Sequence, residues 1–157
     1  MPQKILKILD DLEIEHTNYE HKAVFSCNDA KWISVPWKRI KSLLLRNKKS
    51  TSFYMVVLPD YKKLDVNIVR YFYKDSKLSF VSSEKMEELI GLKPGSVSPY
   101  ALINNIEKNI KVAFDEDLKW EIVGFHPLRN DNTVVTNMSW VEKFLESLAF
   151  SYDYMKL

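Results

Sequence analysis

The sequence predicts a single-domain α+β fold, a mixed sheet with helices packed around it, and three observations carry that reading. Segments with helical spacing of apolar residues alternate irregularly with segments rich in β-branched and aromatic residues. The 157 residues fit one ordinary domain, so 1–157 reads as a single unit without repeat, low-complexity stretch or interdomain linker. An apolar share of 46% and a charged share of 28% are those of a globular chain, which sets disorder and fibrous architectures aside.

The elements follow in order. Ile5, Leu6, Leu9 and Leu12 recur with helical spacing and predict an amphipathic helix ending near Glu13, with a short strand from Ile14 to Tyr19. Ser26 and Asp29 form a helix-start pattern for a short helix from Cys27 towards Ile33, interrupted at Pro36, which leaves Lys41 at the entrance of the next strand. Ser42 to Arg46 and Phe53 to Leu58 have strand composition, and the polar stretch from Asn47 to Ser52 between them makes a hairpin. Asp65 suits the cap of a helix through Tyr71, and Leu78 to Val81 suits a strand. Ser83 to Ile90 suits a helix closed by Gly91. Strands are expected at Ile110 to Phe114, Glu121 to Phe125 and Thr133 to Thr136, the last preceded by the turn Asn130-Asp131-Asn132. Ser139 and Glu142 form a capping box for a final helix that turns Val141, Phe144, Leu145 and Leu148 to the core.

Composition also excludes classes of function. No apolar run approaches the roughly 20 residues that cross a bilayer, and the amphipathic amino end carries acidic residues unlike a signal peptide. Cys27 is the only cysteine, so no internal disulfide can form and a cytoplasmic protein is expected. There is no Walker loop, GxGxxG, HExxH or paired CxxC, and His16, His21 and His126 are too scattered to suggest a metal site. No cofactor or metal is expected. The triplet Asp115, Glu116 and Asp117 reads as solvated surface, and Cys27 as a small buried hydrophobe.

A net charge of +2 does not by itself mark a nucleic-acid binder. The local density does more: Lys38, Arg39, Lys41, Arg46, Lys48 and Lys49 share one short window that could neutralise several phosphates, the alternative being a solvated charged face. The stretch from Gly91 to Leu102 is the other informative region, because it holds two of the three glycines, Gly91 and Gly95. Glycine permits close backbone approach and proline fixes direction, so Gly95, Ser96, Val97, Ser98 and Pro99 can form a rigid loop presenting backbone N–H groups. Such groups bind a carbonyl or stabilise a developing oxyanion; a structural turn is the competing reading.

The segment GLKPGSVSPYAL resembles the GxxxP loop of the YbaK/ProX superfamily, which includes the editing domain of bacterial prolyl-tRNA synthetase and its free-standing relatives. Four further blocks occur in that family's order: EHKAVFS from Glu20, KSLLLRNKK from Lys41, YMVVLPDYKKLD from Tyr54 and FHPLRNDNT from Phe125. The resemblance spans nearly the whole chain. It implies a largely antiparallel curved sheet surrounded by helices, and hydrolysis of the ester of a mischarged aminoacyl-tRNA. It also implies Lys41 as the principal functional side chain, Gly95 and Pro99 as the ends of the loop, and Ser26, His126 and Asn130 as further site residues. Lys38, Arg39, Arg46, Lys48 and Lys49 would then meet tRNA. SVSPYAL is similar to the alanine-editing branch, which implies Ala-tRNA(Pro) as substrate, tRNA(Pro) as partner and prolyl-tRNA synthetase as a candidate second partner, with neither membrane nor DNA involved. Ser42, where the family often has asparagine, and Asp131-Asn132 depart from the pattern. Deacylation of Cys-, Ser- or Thr-tRNA, or a noncatalytic tRNA-binding module, are the alternatives.

Overall fold

The computed structural model describes residues 2–20, 37–93, 96–129 and 131–157. Its strands are β1 (Thr17–Glu20), β2 (Ile40–Arg46), β3 (Phe53–Pro59), β4 (Ser79–Phe80), β5 (Ile110–Asp115), β6 (Ile122–Phe125), β7 (Asn132–Asn137) and β8 (Tyr152–Met155). Helices α1 (Pro2–Asp11), α2 (Val66–Tyr73), α3 (Ser83–Ile90) and α4 (Met138–Ser147) surround them, with 3-10 turns at Pro99–Asn104 and Glu116–Leu118. The expected helix at Cys27 to Ile33 lies outside the described residues.

The strands form a five-stranded sheet in the order β4-β2-β3-β5-β8 and a three-stranded one in the order β1-β7-β6. The two are joined where Lys38, just before β2, makes a parallel bridge to Val123 of β6. Four of the six strand pairings are antiparallel, and β3–β5 and β5–β8 are parallel. The mixed α+β architecture agrees with the sequence expectation.

Strand β3 explains why the larger sheet has two cores. All seven of its residues are buried, and successive side chains of a strand point to opposite faces. Phe53, Met55 and Val57 enter the larger core with Ile5 and Leu9 of α1, Phe144 of α4 and Val123, Phe125 and Val134 of the smaller sheet. Tyr54, Val56 and Leu58 enter a smaller core with Val69 of α2, Leu78, Ala113 and Met155. Strand β2 follows the same alternation: Leu44 belongs to the larger core and Leu45 to the smaller one.

Local signals set several boundaries. Asp65 caps α2 by accepting from the Asn67 N–H, 3.0 Å, and Gly91 closes α3 with φ +68 while its N–H donates to the Glu87 carbonyl, 2.8 Å. The final helix differs from expectation. Its cap is Asn137, whose Oδ1 accepts from the Trp140 N–H at 3.3 Å and also from the Ser139 hydroxyl. Ser139 is thus a ligand of the cap and not the cap itself. Strand β8 has a polar, aromatic sequence that carries no strand expectation; it exists by parallel pairing along β5.

Candidate active site

The junction of the two sheets positions the candidate residues. Three residues beyond the Lys38–Val123 bridge, β2 reaches Lys41 and the chain leaving β6 reaches His126. Lys41 pairs across β2–β3 with Leu58, so it stands on the smaller-core face with Leu43 and Leu45. His126 shares the parity of Gly124, and Gly124 is overlain by Trp37, which in turn has the parity of Arg39 and Lys41. Trp37 thus packs over Gly124 at the junction of the two sheets, four residues before Lys41 on one segment and two before His126 on the other.

His126 is half-buried and firmly placed. Its Nδ1 lies 2.8 Å from the Asn132 carbonyl. A carbonyl only accepts, so Nδ1 carries the proton and Nε2 is the acceptor nitrogen of the neutral ring. Its own carbonyl accepts from the Ser98 hydroxyl at 2.6 Å. That bond ties Ser98, near the end of the loop, to the chain leaving β6.

Past Ser98 the loop is anchored by burial. Ser98 is 1% exposed, its carbonyl accepts from the Ala101 N–H at 2.9 Å, and Pro99 opens the 3-10 turn, where a missing N–H costs nothing. Tyr100 is fully buried and stands edge-on to Phe125 and Phe144, with ring centroids 6.0 and 5.0 Å away. Burial pushes its phenol well above the ordinary range. Ser96 and Val97 are half-buried, Val97 against the larger core. Gly95, Ser26 and Asn130, expected at the site, lie outside the described residues.

The electrostatics single out Lys41. The carboxylates around it are already engaged: Asp60 lies 3.4 Å from Arg39, Glu121 3.9 Å from Lys38, and Asp115 and Asp117 each 2.7 Å from Lys62. Among the described residues no carboxylate pairs with the half-buried Lys41 ammonium. The reading of Asp115 to Asp117 as solvated surface holds for Glu116 and Asp117, which are exposed, and is corrected for Asp115, which is 0% exposed. Lys62 lies against it, and Asp115 and Asp117 together hold Lys62 above the usual lysine range.

The basic window of the sequence does not form one patch. Arg46 lies about 17 Å along β2 from Lys41 and donates to the carbonyls of Asn47 and Lys48. Lys48 and Lys49 are exposed in the following turn, at the far end of the strand. Lys38 and Arg39 are at the site end, each held by an ion pair.

Three further features stand at this end of the sheets. A Cβ at Gly124 would fall 2.5 Å from Trp37 Nε1 and 2.6 Å from Thr133 Cγ2. A glycine inside a strand signals such close approach, and was the available clue. Tyr19 lies beside Trp37, ring centroids 5.0 Å apart. Ser42 is on the opposite, larger-core face, where its hydroxyl is buried without a hydrogen-bond partner.

Comparison with known proteins gives the family and the fold. The family model of the aminoacyl-tRNA editing domain matches residues 21–144. The prolyl-tRNA editing protein ProX of Acetoanaerobium sticklandii is 28% identical over 158 residues, covering 99% of this chain and 96% of that protein. The crystal structure of hypothetical protein APE2540 superposes with a TM-score of 0.73 at 18% identity, covering 95% of this chain and 96% of that one. That of a candidate trans-editing enzyme for prolyl tRNA synthetase gives 0.73 at 16% identity, covering 99% and 96%. At such identities the two structures speak for the fold alone. The family match extends over most of the sequence, and the chain belongs to the aminoacyl-tRNA editing domain family as an aminoacyl-tRNA deacylase.

Proposed function

We propose that the protein acts in trans on tRNA(Pro) carrying alanine, and that its chemistry takes place on the face shared by Lys41 and His126. The carrying observation is the tie between the Ser98 hydroxyl and the His126 carbonyl, 2.6 Å, which joins the end of the loop to the end of β6, and the reading puts beside it Lys41, a half-buried lysine without a carboxylate partner among the described residues. The near full-length likeness to a prolyl-tRNA editing protein supports tRNA(Pro) as the acceptor and prolyl-tRNA synthetase as a candidate partner.

In this reading water attacks the ester carbonyl carbon, the negative charge collects on the carbonyl oxygen, and the bond to the ribose oxygen then breaks. A proton passes from the attacking water to the released ribose hydroxyl. Backbone N–H groups of the loop, Gly95 foremost, stabilise the oxyanion. Lys41 holds the acceptor end through its phosphate or a ribose hydroxyl, an interaction that compensates a half-buried ammonium. His126 and Asn130 shape the pocket, with Ser26, Ser96, Val97, Ser98 and Pro99 completing its lining. No side chain forms a covalent intermediate.

The need for a second site is physical. A pocket that accepts proline rejects alanine weakly, because each missing methylene changes binding by only about 1–3 kcal/mol. A small hydrolytic pocket sorts in the opposite sense by excluding the larger ring. The test is a panel of tRNAs charged with alanine, serine, cysteine, threonine and proline. Ala-tRNA(Pro) should be deacylated fastest and Pro-tRNA(Pro) spared. Faster turnover of the cysteinyl, seryl or threonyl ester would replace the assigned substrate, and hydrolysis of Pro-tRNA(Pro) at a similar rate would end the size-exclusion argument.

A further inference from the structure

The Lys41 face continues towards the start of β2 as an aromatic surface that no step above uses. Trp37 lies across Gly124 so closely that even a methyl group there would overlap it, the added carbon falling 2.5 Å from Nε1 and 2.9 Å from Cδ1. Tyr19 stands beside the indole, centroids 5.0 Å apart and planes inclined by 36°. It is held on β1 opposite Thr133 of β7, the residue whose methyl bounds the other side of the glycine notch. Tyr19 remains 42% exposed and Trp37 is half-buried, so the pair presents ring surface outwards instead of filling the core. Cations follow directly in the chain at Lys38 and Arg39.

Spacing relates this surface to the reaction. Trp37 is four residues before Lys41, at most about 13 Å along the chain, which is within reach of a terminal nucleoside and its preceding phosphate. An ester at the end of a nucleic acid needs its last base held as well as its phosphate. Aromatic side chains do so without regard to sequence, because every base has a π face.

We propose that Trp37 and Tyr19 form the stacking platform for the terminal base of the acceptor strand, with Gly124 the notch that seats the indole. This deepens the reading above, since it names what holds the substrate end on the Lys41 face. The indole is a positioning group, so its removal acts on substrate binding and leaves the chemical step in place.

The experiment uses a CCA trinucleotide whose last base is 2-aminopurine, a fluorescent purine quenched by stacking, alongside steady-state deacylation of mischarged tRNA. Quenching is expected with the native protein and with Trp37→Phe. Trp37→Ala and Gly124→Ala should both abolish it and raise KM about tenfold, with kcat little changed. Tyr19→Ala, at an exposed position, should give a smaller loss in the same sense, and thermal melts establish that each variant is folded. Unchanged quenching and KM in folded Trp37→Ala and Tyr19→Ala overturn the platform, as does a loss confined to kcat. Lys41→Ala separates the two ideas. If it keeps full hydrolysis while the Trp37 effects appear, the platform stands and the reading of Lys41 falls; if it is inactive while quenching never occurs, the reverse holds.

Discussion

Lys41 and Lys62 stand at the same end of the larger sheet and have opposite surroundings. Lys41 pairs with Leu58 of β3, and Leu58 is one residue beyond Val57, the partner of Phe114. Asp115, the next residue of β5, therefore lies on the same row of the same face, two strands and about 10 Å from Lys41. That carboxylate is taken by Lys62 at 2.7 Å, and so is Asp117. One lysine has two carboxylates, and the other, half-buried, has none among the described residues. Burying an ammonium without a partner lowers stability, so a fold that supplies Lys62 and leaves Lys41 unsupplied is compatible with an anion arriving from outside.

Exchanging the roles of the two lysines by mutation gives the largest effects. Lys41→Ala should reduce kcat/KM for a mischarged tRNA by about a hundredfold, the usual consequence of removing a group that holds the reacting end. Stability should stay within about 0.5 kcal/mol, because the ammonium has no carboxylate to leave behind. Lys62→Met should do the opposite. It leaves Asp115 buried without its counter-ion, which costs about 2–3 kcal/mol once discounted for the solvent that reaches Lys62. Activity per folded molecule should be retained. Urea unfolding and single-turnover deacylation of both variants check the contrast, and an unstable but active Lys41→Ala would reverse the assignment.

The acid limb of stability offers a finer separation. The hydrogen bond from Lys62 holds the Asp117 carboxyl below its ordinary pKa. A carboxylate with a depressed pKa binds fewer protons in the folded chain than in the unfolded one, so its contribution is complete above about pH 4 and is lost as pH falls through the folded value. Melting temperatures measured from pH 6 down to pH 3 should fall in the native protein and in Lys41→Ala alike. In Asp117→Asn the fall should be shallower. An identical acid limb in Asp117→Asn would mean that Lys62 is held by Asp115 alone.

Much of the fold was legible because its signals are local. The hairpin from Asn47 to Ser52, the Asp65 cap and the Gly91 closure each depend on residues within a few positions of one another. Strand β8 and the burial of Asp115 were not legible, because one depends on parallel pairing with β5 and the other on an ammonium far away in sequence. Ser139 misled because the helix starts two residues earlier, where Asn137 accepts from the Trp140 N–H and from the Ser139 hydroxyl itself. At the site, the blocks around Lys41, Ser98 and His126 were visible one by one through resemblance. The connection of the last two through the Ser98 hydroxyl is tertiary, and so is the fit of Trp37 over Gly124. Ser26, Gly95 and Asn130 fall outside the described residues, so their roles rest on the sequence.

The smallest effect belongs to the far end of β2, and it completes the comparison of cations with and without protein partners. Lys48 and Lys49 are exposed in the turn after the strand, while Arg46 beside them is tied to backbone carbonyls. An exposed ammonium pays no desolvation and can meet tRNA only through a screened phosphate interaction, which is weak at physiological ionic strength. Lys48→Ala with Lys49→Ala should therefore weaken tRNA binding severalfold and reduce the slope of log K against log salt by about one unit for each phosphate that is no longer neutralised. The maximal single-turnover rate should not change, because these side chains lie more than about 17 Å along the strand from Lys41. Titrations from low to physiological salt decide the matter: an unaltered slope would confine tRNA binding to the Lys38, Arg39 and Lys41 end of the strand.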